Sequence, residues 1–353
     1  MLQNDKAAVV VGIDEYSRRG MLYGCCADAQ QMAKCLKIHE NGHPNMDVTL
    51  MTSATSRQVT TRDINDALEE LFASTLRCAV VYLAGHSITN KRTGETTFVT
   101  QDGDTQDAGV RLEDILGAAN DAFPRIQSTV IILDTCSAGS IGESATNGAR
   151  MNTSTLGEGV TVLAASGRRQ AAGETVDGGV FTTLMVEALK GSAADLLGHV
   201  TPASVYAFID QNFGAVGQRP VYKANVSRFI SLRECAPRID PEYLLSLPEW
   251  FPVAAKDPEM QDRHPLDPRY EPNRDNVPQA IMDIEPDPVL TAIFSGLQAC
   301  NRQGLVVPDD AELMYYAAIN SKLCRLTPLG RHYRNLVDRG SLIISHNSAG
   351  GRG

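Results

Sequence analysis

Hydrophobic positions in the first two thirds of the chain follow two alternating patterns. Short, near-continuous apolar runs read as strands buried on both faces: Ala7-Ala8-Val9-Val10-Val11-Gly12-Ile13, Cys78-Ala79-Val80-Val81-Tyr82-Leu83, Ser128-Thr129-Val130-Ile131-Ile132-Leu133 and Thr161-Val162-Leu163-Ala164-Ala165. Asp47-Val48-Thr49-Leu50-Met51 adds a strand, and Pro220-Val221-Tyr222 falls within the last one. Between them, apolar residues recur at helical spacing: from Ala27 to Ile38, after a Thr60-Thr61 cap at Ile64, Leu68, Leu71 and Phe72, from Arg111 to about Ala122, and over Thr182–Leu189 and Ala203–Phe213. This alternation predicts an α/β fold, a doubly wound, mostly parallel six-stranded sheet with helices on both faces, as a first domain over residues 1–235.

The pattern then breaks. Eleven of the seventeen prolines lie between Pro237 and Pro288, predicting a Pro-rich linker over 236–282 that docks through Tyr243-Leu244-Leu245, Trp250-Phe251 and Tyr270. Beyond it, Val289–Arg302 and Asp309–Ile319 read as helices, Leu323–Leu326 as a strand, Leu329–Val337 as a helix and Ser341–Ile344 as a closing strand. That order suggests a small α+β, winged-helix-like domain over 283–345 with a glycine-rich flexible tail over 346–353.

Composition narrows the function. Over 353 residues, 43% hydrophobic and 21% charged side chains are ordinary for a soluble protein, and no apolar run approaches a membrane span. The N-terminus runs straight into a strand without a secretory pattern, so a cytoplasmic location is expected. A formal charge of −10 argues against a general nucleic-acid binder, which needs a basic face, and is neutral about substrates, although acidic pockets attract basic ones. The eight cysteines lack the paired spacings of a zinc site or redox dithiol, and most read as small buried side chains.

Two motifs carry the chemistry. Leu83-Ala84-Gly85-His86 and Asp134-Thr135-Cys136-Ser137-Ala138-Gly139 each close a hydrophobic strand. Parallel sheets bind ligands beyond the C-terminal ends of their strands, and an imidazole beside a thiol makes a thiolate accessible near neutral pH. The pair His86 and Cys136 therefore reads as Cys-His hydrolysis.

These motifs resemble those of the caspase and metacaspase superfamily of cysteine proteases, over roughly residues 6–230. The likeness extends to Val10–Tyr16, Leu22–Ala29, Ala164-Ala165-Ser166 and Gly179–Leu184. The resemblance implies a cysteine endopeptidase in which Cys136 is the nucleophile, His86 the general base and acid, and the backbone N–H groups of Ser87 and Cys136 the oxyanion hole. Family members usually carry glycine where this chain has Ser87, and many carry serine where it has Ala84. Metacaspases read arginine or lysine with carboxylates; the matching positions are Asp28 and Asp134, with Cys25 and Ala84 lining the same pocket. Cleavage of proteins or peptides after Arg or Lys is the expectation.

Caspase-like zymogens are often cut in the loop after the nucleophile. Here that loop, Ile141–Gly159, holds one basic residue, Arg150, the candidate for self-cleavage, with Arg168 and Arg169 as later candidates. Glu174 reads as structural support for its loop. Some metacaspases require calcium, and Asp102, Asp104, Asp107 and Glu143 offer oxygen ligands, but without a dedicated calcium loop no cofactor or metal is expected. Residues 283–353 carry seven acidic and seven basic side chains, which favours a regulatory or partner-binding module over a DNA reader. Bacterial caspase-like proteases with appended domains resemble effectors of anti-phage defence switched by a partner or nucleotide signal, although the sequence locates no basic pocket for a nucleotide. The competing reading is a catalytically weak caspase-fold scaffold whose C-terminal domain binds a partner or nucleic acid.

Overall fold

The structure is a computed structural model and describes residues 4–17, 19–54, 57–90, 92–103, 109–135, 156–165, 180–213, 219–253, 258–273 and 277–344. The chain divides into two compact units, Met1–Ala236 and Pro237–Gly353.

In the first unit the elements run β1 (Lys6–Gly12), α1 (Cys25–Lys37), β2 (Asp47–Thr52), α2 (Thr61–Ala73), β3 (Cys78–Gly85), β4 (Ser87–Thr89), β5 (Thr96–Phe98), β6 (Val110–Arg111), α3 (Leu112–Ala122), β7 (Thr129–Thr135), β8 (Val160–Ala164), α4 (Val180–Glu187), β9 (His199–Val200), α5 (Pro202–Asn212), β10 (Val221–Asn225) and β11 (Arg233–Glu234). Six strands form one sheet in the order β10-β8-β7-β3-β1-β2. All neighbours are parallel except β10, which runs antiparallel to β8 at the edge. The expected doubly wound sheet is present, and its two-sided burial explains the continuous apolar runs. Val9, Val11, Val81, Leu83, Ile131 and Leu133 pack on α2 and α3 through Ile64, Leu68, Ile115 and Leu116. The alternate residues Val10, Val80, Tyr82, Val130 and Ile132 pack on α1, α4 and α5 through Met32, Leu36, Met185 and Val205.

Helix starts follow their local chemistry. Thr60 caps α2 with a capping box to Asp63, and Thr201 does the same for α5 with Ser204. Two small sheets add to the sequence reading. One joins β4, β5 and β6 immediately after His86; the other pairs β9 with β11. Strands of two or three residues are too short to show a period.

The second unit contains α6 (Pro241–Leu245), α7 (Leu247–Trp250), β12 (Arg263–Pro265), α8 (Gln279–Met282), α9 (Pro288–Arg302), β13 (Val306–Asp309), α10 (Met314–Ile319), β14 (Leu323–Leu326) and α11 (Pro328–Asp338). Its sheet has the order β12-β14-β13. Two expectations are corrected here. The segment 236–282 is no bare linker, because from Pro237 it belongs to this unit, supplies β12 and buries Trp250, Phe251 and Tyr270. Its Pro265 is compatible with pairing because β12 is an outer strand, as is β13, which holds Pro308. Residues 341–344 form no strand, and the third strand comes from before α9, so the closing hairpin expected of a winged helix is not formed. The tail from residue 345 onward lies outside the described residues.

Candidate active site

β3 delivers His86 just beyond its C-terminal end, and the loop between β1 and α1 grips it. The backbone N–H of His86 donates to the Tyr16 hydroxyl at 2.9 Å. The Tyr16 ring lies 4.8 Å from the imidazole, tilted by 51°. Gly85 makes room for this, since a Cβ there, at a φ of +155°, would stand 2.5 Å from the Tyr16 hydroxyl. Burial pushes the Tyr16 phenol up, so it stays neutral. On the ring itself, Nε2 lies 2.9 Å from the carbonyl oxygen of Gly20. A carbonyl can only accept, so Nε2 carries a proton, and in the neutral ring Nδ1 holds the lone pair.

The gripping loop is itself anchored to α1. Asp14 accepts from the N–H groups of Cys25 at 2.8 Å and Cys26 at 3.1 Å, placing a carboxylate on the helix N-terminus. Its own N–H donates to the Ser53 hydroxyl at 2.9 Å. The first turn of α1 presents Cys25 and Asp28 to the sheet, with Asp28 only 4% exposed. Close approach of this helix depends on Gly12, where a Cβ would come within 2.2 Å of the Cys25 carbonyl oxygen.

Register places Asp134 of β7 beside Ala84 of β3, which in turn neighbours Gly12 of β1. Alternation turns Asp134 toward the face covered by α1 and α4, the face that also holds Tyr82 and Ala84. Thr182 of α4 donates to Asp134 Oδ2 at 2.6 Å. With that proton committed, the Tyr82 hydroxyl donates to Thr182 Oγ1 at 2.8 Å. Burial pushes the Asp134 carboxyl above the ordinary carboxylate range, with the Thr182 bond pulling the other way. The Cys25 thiol is pushed well up, first by burial and then by the negative charges of Asp14, Asp134 and Asp28. Cys25 is thus a neutral thiol within the field of three carboxylates and does not compete as a nucleophile.

Asp28 and Asp134 therefore both bring negative charge to bear on the Cys25 thiol. Ala84 is 1% exposed and lies in the sheet. For Ser87, the bond from the Val99 N–H to the His86 carbonyl makes Ser87 and Phe98 a non-hydrogen-bonded pair, so the Ser87 N–H points away from β5. The Ser87 hydroxyl is buried without a hydrogen-bond partner, as is that of Thr135, which precedes Cys136. Cys136 and Arg150 lie outside the described residues, as do Asp104, Asp107, Glu143, Arg168, Arg169 and Glu174. Asp102 accepts from the Thr61 N–H at 2.9 Å at the start of α2. Among the described residues, no three His, Cys, Asp or Glu side chains gather as a metal site. Nor is any helix among them long and apolar enough to cross a membrane.

Asp14, Tyr16, the Gly20 carbonyl, Tyr82 and Thr182 have roles that sequence reasoning did not assign. Asp14, Tyr16 and Thr182 fall inside the short segments Val10–Tyr16 and Gly179–Leu184, so a signal was present without a function attached to it.

A six-stranded, mostly parallel sheet in this order, with helices on both faces, is a caspase-like fold. Residues 5–228 match the model of the Caspase domain family, and the chain belongs to that family, whose substrates are proteins. Comparison with curated proteins finds no match. Among solved structures, protein GSU0716 from Geobacter sulfurreducens is similar at 14% identity and a TM-score of 0.45, covering 66% of this chain and 97% of that one. Caspase-1 from Spodoptera frugiperda is similar at 12% identity and a TM-score of 0.45, covering 66% of this chain and 92% of that one.

Proposed function

We propose that this protein is a cysteine endopeptidase that cleaves after Arg or Lys through Cys136 and His86. The lone pair on His86 Nδ1 takes the Cys136 proton, and the thiolate attacks the scissile carbonyl carbon. The resulting oxyanion is held by the backbone N–H groups of Ser87 and Cys136. The imidazolium then protonates the leaving amine, and a water deprotonated by His86 hydrolyses the thioester. The observation that supports the specificity is the negative charge that Asp28 and Asp134 both exert on Cys25, two carboxylates that a guanidinium or ammonium would neutralise.

Arg150 is the site we propose for self-cleavage. Action as an effector of anti-phage defence is proposed from the second unit appended to the peptidase unit. A panel of fluorogenic peptides tests the core of the reading. Turnover is expected after Arg and Lys, well above turnover after Asp, and is expected to vanish in Cys136→Ala. Faster cleavage after Asp would overturn the specificity, and full activity in Cys136→Ala the mechanism. Active wild-type chain that stays intact at Arg150 on prolonged incubation would remove the self-cleavage site.

A further inference from the structure

A group of arginines in the second unit has no part in the peptidase site. Arg263 of β12 and Arg325 of β14 are directly opposite one another across the strand pair, where like charges repel unless an anion lies close. Asp309 offsets them in part, with its carboxylate 3.0 Å from Arg263 Nε and 3.5 Å from Arg325 Nε. Arg331, early in α11, comes no nearer than 3.6 Å to the Asp262 carboxylate. Asp262 is already engaged by the buried Arg334, whose Nε has no hydrogen-bond partner. Four guanidinium groups thus share two aspartates. Both closest approaches of Arg325 and Arg331 exceed ordinary charged hydrogen-bond lengths, so their forks keep donors to spend.

Arg263, Arg325 and Arg331 converge on one open cavity of about 480 Å3. Its lining sets these three cations against two carboxylates, Glu259 and Asp262, with Gln261 as a further polar group and Leu326 as an apolar one. We propose that this cavity binds a small phosphorylated molecule. Its guanidinium groups come from two strands and a helix, an arrangement that suits a tetrahedral group with several acceptor oxygens and up to two charges better than a planar monocarboxylate. The cavity is larger than a lone phosphate needs and leaves space for an organic portion against Leu326.

Calorimetric titration of the full chain with inorganic pyrophosphate, and separately with citrate, tests the assignment. Pyrophosphate is expected to bind, more weakly as salt is raised, with citrate clearly weaker. Arg325→Ala and Arg331→Gln are each expected to lower pyrophosphate affinity roughly tenfold. Arg325→Lys keeps the charge, loses the fork, gives an intermediate affinity, and serves in place of the alanine variant should that fail to fold. No binding of pyrophosphate at millimolar concentration, citrate binding as tightly, or unchanged affinity in the folded variants would each overturn the proposal.

Discussion

At the scale of single residues, the proposed role of His86 as a base requires its ring to be held with Nδ1 free. Tyr16 holds the backbone and the flat of the ring, while Gly20 holds the far nitrogen. Tyr16→Phe keeps the ring packing and removes the acceptor for the His86 N–H. A lost hydrogen bond of about 1 kcal/mol predicts a kcat lower by roughly fivefold, with KM for an Arg peptide little changed; an unchanged kcat would mean that the Gly20 carbonyl alone suffices. Asp134 makes a different argument. Its folded-state pKa lies above the ordinary carboxylate value of 3.8, so protonation favours the folded state. That contribution is complete below the unfolded value and is lost as pH rises through the folded one. At neutral pH, above the unfolded value, the burial of Asp134 therefore costs stability. Asp134→Asn is expected to raise the melting temperature at pH 7 and to lower kcat/KM for Arg peptides by roughly tenfold to a hundredfold. In the wild type, kcat/KM for the same peptides is expected to fall as pH drops through the raised Asp134 value, and pH profiles of both forms check this.

At the scale of elements, Cys25 and Asp28 face the sheet because α1 packs its first turn onto the ends of β1 and β3. Gly12→Ala would drive a methyl group against the Cys25 carbonyl oxygen and the Ala29 side chain, at 2.2 and 2.6 Å. Backbone cannot swing aside, so a cost of about 1–3 kcal/mol is expected, read as a lower melting temperature. Because the displaced turn carries Cys25 and Asp28, cleavage after Arg should weaken too; retained stability and activity would show that α1 yields freely. The long elements were legible because their burial leaves a period: two faces of β1, β3 and β7 are covered by different helices, and the runs are apolar throughout. β4, β5 and β6 were not legible, since Ser87-Ile88-Thr89 and Thr96-Thr97-Phe98 contain too few residues to show alternation. The prolines of 237–282 predict a linker, whereas Pro265 ends an outer strand where no ladder bond is lost.

At the scale of the whole molecule, a net charge of −10 conceals two local fields of opposite kind. One unit gathers carboxylates around Cys25, and the other gathers guanidinium groups around Asp309 and Asp262. Averaged composition cannot report either, because a sum of charges along the chain discards their placement. The sequence by itself determined the order of the long strands and helices in the first unit, the parallel sheet, the family motifs, and the position of His86 beyond an apolar strand with Cys136 two residues after Asp134. These are written in local periods and short motifs, since burial repeats along the chain. Only the tertiary structure decided that Tyr16 meets His86 from 70 residues away, that Thr182 and Tyr82 support Asp134, and that Arg263 faces Arg325. Such contacts join single polar groups across distant elements, and a lone polar pairing leaves no repeating trace in the chain.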